Sequence, residues 1–275
     1  MNTPIPAEAV TQAEPILLRE DLNGISVLTL NRPKARNTLS DATIAALSEA
    51  LGLIAQDTSI RAVVLAANGP AFCGGHDLKE MSAHRTDKDG GRAYFVDLFE
   101  RCSAMMQAIV RLPQPVIASV QATATAAGCQ LVASCDLAVA AKTANFGTTG
   151  INVGLFCSTP MVALSRNVSR KQAMEILLTG DMISAEDADR MGLVNRLAEP
   201  GREGEEALVL ARKIAAKSTR AVKIGKEAFY RQLEMGLSDA YRYAGEVMVE
   251  NMLARDADEG IRAFVEKRPP QWENR

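Results

Sequence analysis

The sequence lacks the features that mark several large classes of protein. Its 31 lysines and arginines are balanced by 33 aspartates and glutamates, so no excess of positive charge draws it to nucleic acid or to anionic membranes. Its most apolar window, residues 116–139, is interrupted by polar residues and has no span of about 20 residues compatible with lipid. We therefore expect a chain that neither crosses a membrane nor binds nucleic acid.

Paired cysteines are also missing. The five cysteines are odd in number and show no C-x-x-C spacing, which favours neither a disulfide framework nor a zinc site. Free thiols, mostly buried, and no bound metal are the expectation. Four common catalytic motifs, G-x-G-x-x-G, G-x-x-x-x-G-K-[ST], H-E-x-x-H and G-x-S-x-G, are absent as well. The sequence thus gives no support for a dinucleotide, P-loop, zinc-peptidase or hydrolase-elbow site.

The first 15 residues contain no lysine or arginine and no apolar run. This composition excludes a secretory signal and fits a transit peptide poorly. We expect residues 1–15 to form a disordered leader on a cytoplasmic protein. The rest of the chain, residues 16–275, is long enough to bury a substantial core.

Two apolar runs of strand length are each followed by a loop of small residues. The run 60–67 precedes Gly74 and Gly75, and the run 116–120 precedes the stretch 121–136, QATATAAGCQLVASCD. Small side chains leave backbone N–H groups accessible, and such groups at the start of a helix suit an oxygen that carries negative charge. Tight packing of a helix on a sheet explains small residues too, and this stretch alone favours packing.

The two histidines give no clear catalytic pair. His76 lies in the loop after Gly75, but no partner carboxylate can be assigned to it from sequence, so a satisfied structural histidine is favoured. His84 lies in the polar segment 82–91, for which we predict a mobile loop. We assign His84 no role.

The remaining pattern predicts alternating strands and helices, then helices alone. A hairpin at Asn23-Gly24 leads into a strand at 25–30, and the cation-rich loop 31–37 precedes a helix capped by Ser40. Further predicted helices cover 94–112, 161–166, 172–178 and 185–191, and predicted strands cover 136–141 and 193–197. The segments 146–152 and 153–158 are predicted to be a polar loop and an apolar connection. From residue 201 onwards, helices are predicted near 203–217, 219–234, 239–254 and 256–267.

Motifs spread along the chain resemble those of the crotonase, or enoyl-CoA hydratase/isomerase, superfamily. The resemblance covers residues 16–275, and one branch of the superfamily also has ATAAGCQLVASCD followed by NVGLFCSTP, as this chain does. The matching segments are NRPKARN (31–37), FCGGHDLKEM (72–81), PVIA (115–118), CD (135–136), NVGL (152–155), LTGDMISA (178–185) and AFVEKR (263–268).

The resemblance implies an α/β fold, the ClpP-like spiral of β-β-α repeats. It implies a spiral core over 16–200 that carries an acyl-CoA site, and a helical region over 201–275 that builds homotrimers or hexamers. The implied ligand is the thioester of coenzyme A, as substrate or bound molecule, with no other cofactor. By position, the backbone N–H groups of His76 and Ala127 form the family's oxyanion hole around the thioester carbonyl.

The resemblance also assigns residues that bind coenzyme A. Lys34 and Arg36 correspond to residues near its adenine and phosphates, and Lys79 to one near the nucleotide. Phe264 and Lys267 correspond to tail residues that approach the ligand of a neighbouring subunit. The other positions implied to bind the ligand are Ala35, Gly75, Asp77 and Leu78.

The chain departs from the family where hydratases keep two glutamates that activate water. Gln130 and Gly150 occupy those positions. An amide is no general base near neutral pH and glycine has no side chain, so we expect weak or no ordinary hydratase activity. Asp77, Glu80 and Asp136 are poor replacement bases by position.

Three functions therefore remain open from sequence. The first is an acyl-CoA-binding member of the hydratase/isomerase family with little hydration, a lyase or isomerase relative from fatty acid metabolism. The second is an enzyme for another thioester reaction, such as isomerisation or decarboxylation, with an unidentified base. The third is a non-catalytic acyl-CoA-binding or assembly subunit. A nucleophilic Cys157 is disfavoured, since it would need a base nearby.

Overall fold

The computed structural model describes residues 14–274, so all but the last two residues of the predicted leader lie outside the described residues. The strands of this part of the chain are β1 (Leu17–Leu22), β2 (Ile25–Leu30), β3 (Ala62–Ala67), β4 (Ala71–Cys73), β5 (Val116–Val120), β6 (Thr123–Thr125), β7 (Leu137–Ala141), β8 (Asn145–Gly147), β9 (Ile183–Ser184) and β10 (Arg196–Ala198).

The helices are α1 (Asp41–Gln56), α2 (Leu78–Ala83), α3 (Arg92–Arg111), α4 (Ala127–Ser134), α5 (Pro160–Leu164), α6 (Arg170–Thr179), α7 (Ala185–Met191), α8 (Glu203–Ala215), α9 (Thr219–Gln232), α10 (Leu237–Met252) and α11 (Arg255–Glu266). Short 3₁₀ turns cover Pro33–Ala35, His84–Thr86 and Thr149–Val153.

Two sheets carry the strands. The larger sheet has the order β1-β2-β3-β5-β7-β10 and is parallel except for the β1–β2 hairpin. The smaller sheet has the order β4-β6-β8-β9 and is parallel except for β8–β9. Three times the chain leaves a strand of the larger sheet and enters one of the smaller sheet, from β3 to β4, from β5 to β6 and from β7 to β8. These steps are the turns of the predicted β-β-α spiral.

Both faces of the larger sheet are covered, which explains why its central strands are continuous apolar runs. On one face, α1, α3 and α4 enclose the main core, which includes Leu28, Leu65 and Phe72. On the other face, α8 buries Ala207 and Ala211 against Val64 and its neighbours. The first helix of the predicted helical region therefore packs on the larger sheet of the core. The division of the chain at residue 200 stays a prediction.

The caps that the sequence predicts at Ser40, Ser184 and Gly192 are present. The Ser40 hydroxyl accepts the Thr43 N–H at the start of α1, and Ser184 accepts the Asp187 N–H at the start of α7. Gly180 and Gly192 end α6 and α7 in the left-handed conformation that glycine adopts without strain.

Two segments are more regular than the sequence predicts. The segment 82–91, predicted to be a mobile loop, contains the end of α2 and a 3₁₀ turn whose His84 stacks on Tyr94 with ring centroids 3.7 Å apart. The segment 146–152, predicted to be a polar loop, forms most of β8 and a 3₁₀ turn. The polar composition of both segments concealed their order, which comes from contacts outside each segment: with α3 for the first and with β6 for the second. Between residues 14 and 274, no helix has the length and apolar character required to cross a membrane.

Candidate functional site

The two loops of small residues meet at the ends of β4 and β6. Gly75 follows β4 with a φ of +86°, and a Cβ built on it would lie 3.0 Å from the Ala126 Cβ and 3.4 Å from the Ala127 nitrogen. Glycine at position 75 therefore satisfies two requirements, a left-handed backbone and a close approach. The consequence is that residues 75–76 and 126–127 lie side by side.

Two backbone N–H groups at this junction are unused. Within residues 14–274, neither the His76 N–H nor the Ala127 N–H donates a hydrogen bond, although the neighbouring Ala126 N–H bonds to the Gly147 carbonyl. Ala127 is the first residue of α4, where backbone donors have no partner within the helix. The helix dipole adds partial positive charge at the same end. This arrangement can bind an oxygen that carries negative charge.

Ala126 turns the chain from β6 into α4 at an energetic cost. Its φ of +51° and ψ of −120° lie in a region that residues with a Cβ rarely adopt. Such a conformation costs on the order of 1–3 kcal/mol and persists where surrounding contacts enforce it. The sequence indicated a glycine-like loop here but not which alanine carries the strain.

Backbone and side-chain hydrogen bonds attach the cation-rich loop, and the residues just after it, to the loop that contains Gly74 and Gly75. The Gly74 N–H donates to the Arg36 carbonyl at 2.9 Å, and the Leu39 N–H donates to the Gly75 carbonyl at 2.8 Å. The buried Asn37 amide donates to the carbonyls of Asn68 and Ala71, both at 2.8 Å. These bonds fix the cation-rich loop beside the two free amides.

Three cations of the linked loops have no acidic partner. Lys34, Arg36 and Lys79 are exposed, and no ion pair or side-chain hydrogen bond holds them within the described part of the chain. Arg32 differs, since it donates to Ser40 at 2.6 Å and lies 3.9 Å from Asp77. The three free cations can meet an anionic ligand without first breaking an internal pair.

The remaining ligand positions in these loops have mixed exposure. Ala35 is half-buried in the first 3₁₀ turn, while the Leu78 side chain, at the start of α2, is 51% exposed. Gly75 is buried at the junction itself. Apolar surface at Leu78 therefore accompanies the charge of Lys79.

The three candidate replacement carboxylates all have structural partners. Asp77 caps α2 by accepting the Lys79 N–H at 3.1 Å, and it also accepts the Thr38 hydroxyl. Glu80 accepts the Asp41 N–H at 3.0 Å, at the start of α1. Asp136 lies beyond the far end of α4 in a buried network described below. None of the three is a free base beside the amides.

Gln130 stands one turn into α4 from Ala127 and is 5% exposed. Its Oε1 is shut from solvent and has no hydrogen-bond partner within residues 14–274. Residues three apart share a helix face, so the Gln130 side chain lies on the same face of α4 as Ala127. A side-chain amide here can donate or accept a hydrogen bond but supplies no base.

Gly150 has no room for a side chain. A Cβ built on it would lie 2.5 Å from the Leu155 carbonyl oxygen and 2.8 Å from the Cys157 Sγ. The Leu155 N–H donates to the Gly150 carbonyl at 2.9 Å, which holds the segment 155–157 against it. The space that a glutamate side chain would need is thus filled by the chain itself.

The cysteines are buried free thiols, as predicted. Burial raises the pKa of Cys73, Cys102 and Cys129 to about 12, and it raises the pKa of Cys157 as well, while the Gly150 backbone acts in the opposite direction on Cys157. A protonated thiol is a weak nucleophile. The structure thus gives Cys157 no activation. Within residues 14–274, no group of three or more His, Cys, Asp and Glu side chains could hold a metal ion.

The histidines differ in their surroundings. The His84 Nδ1 lies 2.8 Å from an Asp87 carboxylate oxygen, and its ring stacks on Tyr94. The His76 ring packs edge-on to Phe99, with centroids 5.5 Å apart, and neither of its buried ring nitrogens has a hydrogen-bond partner in the described residues. The sequence favoured a satisfied structural histidine at position 76. The ring is packed as expected of a structural histidine, but its nitrogens lack the hydrogen-bond partner that the expectation included.

Sequence analysis did not predict a buried hydrogen-bond network that lies beyond the C-terminal end of α4. The Asp136 carboxylate accepts the Val116 N–H at 2.6 Å, the Lys226 ammonium at 2.6 Å and the Tyr230 hydroxyl at 2.9 Å. Lys226 also donates to the Ile109 and Gln114 carbonyls. Burial lowers the pKa of Lys226, and Asp136 acts in the opposite direction. The sequence signal for this network was the spacing of Lys226 and Tyr230, one helical turn apart in α9, and that spacing is equally typical of a solvent-exposed helix face.

The tail positions lie on the last helix. Phe264 is 85% exposed on α11, and Lys267 ends that helix with a φ of +54°. In the described part of the chain, no hydrogen bond links the Lys267 side chain to the two loops. A single chain therefore brings together the loop positions but not the tail positions.

Comparison with known proteins shows the family to which the chain belongs. The model of the enoyl-CoA hydratase/isomerase family matches residues 20–275. The enoyl-CoA hydratase domain-containing protein 3, mitochondrial, of Rattus norvegicus is 45% identical over 250 residues, covering 91% of this chain and 82% of that protein.

Solved structures agree with the fold. An enoyl-CoA hydratase from Mycobacterium smegmatis is 56% identical, has a TM-score of 0.90 and is matched over 94% of this chain and 99% of that one. The human enoyl-CoA hydratase domain-containing protein 3 is 44% identical, with a TM-score of 0.89, over 94% of this chain and 100% of that one. The predicted superfamily, branch and fold class are confirmed.

The expectation of a cytoplasmic protein is contradicted. Relatives from rat, Xenopus laevis, human and mouse, 43–45% identical to this chain, are each named mitochondrial. The composition of residues 1–15 was therefore a poor guide to location.

Proposed function

Because the chain belongs to the enoyl-CoA hydratase/isomerase family, we propose that it binds an acyl-CoA thioester with the carbonyl oxygen between the N–H groups of His76 and Ala127. The observation that carries this proposal is the pair of unused amides held side by side by the contact of Gly75 with Ala126. Two preorganised donors stabilise an enolate-like oxygen more than a neutral carbonyl. The same amides therefore serve binding and any chemistry at the thioester.

The phosphates of coenzyme A would meet Lys34, Arg36 and Lys79, which are exposed and unpaired. The loops that carry them are bonded to one another through Gly74 and Gly75. Phosphate oxygens accept strong charge-assisted hydrogen bonds from lysine and arginine. Phe264 and Lys267 would approach the ligand bound by a neighbouring subunit.

Hydration of an enoyl thioester would be slow in this site. Water addition needs a base to take a proton from water and an acid to deliver one to carbon. Gln130 can do neither near neutral pH, and the segment 155–157 fills the space beside Gly150. Asp77, Glu80 and Asp136 are engaged elsewhere.

A hydration assay tests this part of the proposal. Purified protein is mixed with crotonyl-CoA, and loss of the enoyl absorbance is followed beside an active hydratase as the reference. We expect a turnover far below about 10 per second, a typical enzyme value. A turnover at or above that value would contradict the proposal that Gln130 and Gly150 disable hydration.

A proline substitution tests the Ala127 amide. Ala127 is the first residue of α4, the helical position at which proline fits best, and proline lacks the N–H. We expect Ala127→Pro to bind butyryl-CoA about tenfold more weakly, the net value of one hydrogen bond, as measured by calorimetry. Free coenzyme A, which has no thioester carbonyl, is the matched ligand and should bind Ala127→Pro and wild type equally. Equal loss for both ligands would show a damaged fold instead of a lost donor.

A further inference from the structure

Gln130 is a buried side chain whose amide makes no hydrogen bond. The residue is 5% exposed, and neither end of its amide has a partner within residues 14–274. The Oε1 atom is shut from solvent, whereas Nε2 keeps a small accessible surface. Buried polar groups in native proteins almost always have partners, so an open, unused donor of this kind marks a place that a ligand or water completes.

The Gln130 amide lies close to the Ala127 N–H. Ala127 and Gln130 are the first and fourth residues of α4, and side chains three apart on a helix have Cβ atoms about 5–6 Å apart. Long side chains lean toward the N-terminus of their helix, which here is the end that carries the Ala127 N–H. A carbonyl oxygen bound at that N–H lies about 3 Å from it. The Gln130 amide is therefore within reach of the carbons that follow the carbonyl.

The surroundings of this donor carry no charge. Helix α4, AGCQLVAS, and the segment 149–157, TGINVGLFC, contain no charged side chain. The hydroxyl oxygens of Thr125 and Thr149 are 2.8 Å apart, which holds this segment beside the start of α4. An ionised acyl group would be buried here without an opposite charge, at a high cost in free energy. The ligand group opposite Gln130 is therefore neutral.

A ketone oxygen satisfies the donor with the fewest further demands. The Nε2 group donates, so its partner must accept, and a carbonyl oxygen accepts without donating. A hydroxyl group would also need an acceptor for its own proton. The carboxylates of Asp77 and Glu80 already accept backbone N–H groups. These observations favour an acceptor that has no proton of its own.

We propose that Gln130 determines specificity for 3-oxoacyl thioesters: its Nε2 group donates to the ketone oxygen while the N–H groups of His76 and Ala127 bind the thioester carbonyl. The inference rests on the proposed function and names the acyl group that this site takes. A saturated acyl chain covers the same amide and leaves its donor unpaired, which weakens binding. Sites built to hydrogen-bond a group of the substrate discriminate against analogues that lack it.

Paired affinities measure this selection. Acetoacetyl-CoA and butyryl-CoA have the same chain length and differ only at the third carbon. We expect wild type, in calorimetry, to bind acetoacetyl-CoA at least about tenfold more tightly, the value of one hydrogen bond to a buried amide. 3-Hydroxybutyryl-CoA should bind less tightly than acetoacetyl-CoA.

Gln130→Met removes the donor and keeps the length of the side chain, and Gln130→Leu is a second apolar variant. In both, the ratio of the two affinities should fall to within about twofold of one. Gln107→Met is the matched control, because Gln107 is exposed on α3 and its amide bonds to residues of the same helix. It should keep the wild-type ratio. A damaged fold lowers both affinities together, so the ratio reports the lost donor.

The outcomes separate the two proposals. If wild type binds acetoacetyl-CoA and butyryl-CoA equally, or if Gln130→Met and Gln130→Leu keep the wild-type ratio, the role of Gln130 is overturned and acyl-CoA binding stands. Tighter binding of 3-hydroxybutyryl-CoA than of acetoacetyl-CoA would overturn the assignment of a ketone. If neither thioester binds wild type, the proposed function fails and the inference with it.

Discussion

At the scale of single residues, Gly150 carries the clearest steric constraint of the site. Its missing side chain could be taken for the simple loss of a catalytic group. The structure shows instead that the Leu155 carbonyl and the Cys157 thiol have closed over the position. Restoring a carboxylate would thus require the segment 155–157 to move, so the change is one of backbone as well as of side chain.

A single methyl group tests this constraint. Gly150→Ala places a Cβ within 2.8 Å of the Cys157 Sγ and closer still to the Leu155 oxygen. We expect a loss of about 1–3 kcal/mol in the free energy of unfolding, the usual cost of overpacking, measured by urea denaturation.

Gly52 provides the control, because it lies in α1 with nothing within 4 Å of a built Cβ. Gly52→Ala should stabilise the protein by about 0.5–1 kcal/mol through the higher helix propensity of alanine. Equal effects at the two positions would contradict the closure described at Gly150.

At the scale of elements, α9 is fixed to the core by the Lys226–Asp136 pair. The Lys226 and Asp136 side chains are 7% and 13% exposed, and four further hydrogen bonds surround their charged groups. Breaking such a pair leaves a buried charge without its partner.

Lys226→Met removes the cation and keeps much of the aliphatic stem. We expect a loss of about 3–5 kcal/mol in the free energy of unfolding, because Asp136 stays buried and charged. The exposed Arg166–Glu234 pair, at 3.4 Å, is the matched control. Glu234→Gln should cost less than about 1 kcal/mol. A similarly small effect of Lys226→Met would show that the network does not hold α9.

Sequence patterns predicted the elements well wherever local signals decide them. The apolar runs at 60–67 and 116–120, and the caps at Ser40 and Ser184, follow from periodicity and hydrogen bonding within a few residues. The network of Asp136 with Lys226 and Tyr230 was not predictable, because its members are 90 and 94 residues apart. The short strand β8 escaped prediction for the same reason, since its partner β6 defines it.

The candidate site was predictable only in part. The backbone donors at His76 and Ala127 followed from a family resemblance and stay a prediction, although the structure leaves both amides unused. The unpartnered His76 ring could not be foreseen, since sequence shows that a side chain is polar but not which partners surround it once buried. The strain at Ala126 was hidden because alanine carries no signal for a positive φ.

At the scale of the whole molecule, the C-terminal helices expose a large apolar surface. Leu237, Tyr241, Leu253 and Val265 are each 74–82% exposed on α10, α11 and the turn between them. Large exposed apolar patches often mark interfaces in soluble proteins. We propose that it forms the homotrimer, or hexamer, expected from the family.

Light scattering tests this assembly. We expect the wild type to have the mass of three or six chains of 29.5 kDa. Leu253→Glu places a charge on the apolar surface, which should raise the dissociation constant by at least about tenfold, since burying an unpaired charge is costly. Leu53→Glu is the control, because Leu53 is exposed on α1, outside the C-terminal helices. A monomeric wild type, or equal masses for wild type and Leu253→Glu, would contradict the proposed interface.

Helix α4 has one further consequence for the whole molecule. Its eight residues are buried throughout and span about 12 Å, with the Ala127 amide at one end and Asp136, bound to α9, just beyond the other. If assembly moves α9 and α4 moves with it, we expect the affinity for a ligand at Ala127 to change, and by linkage that ligand then changes the strength of assembly by the same factor.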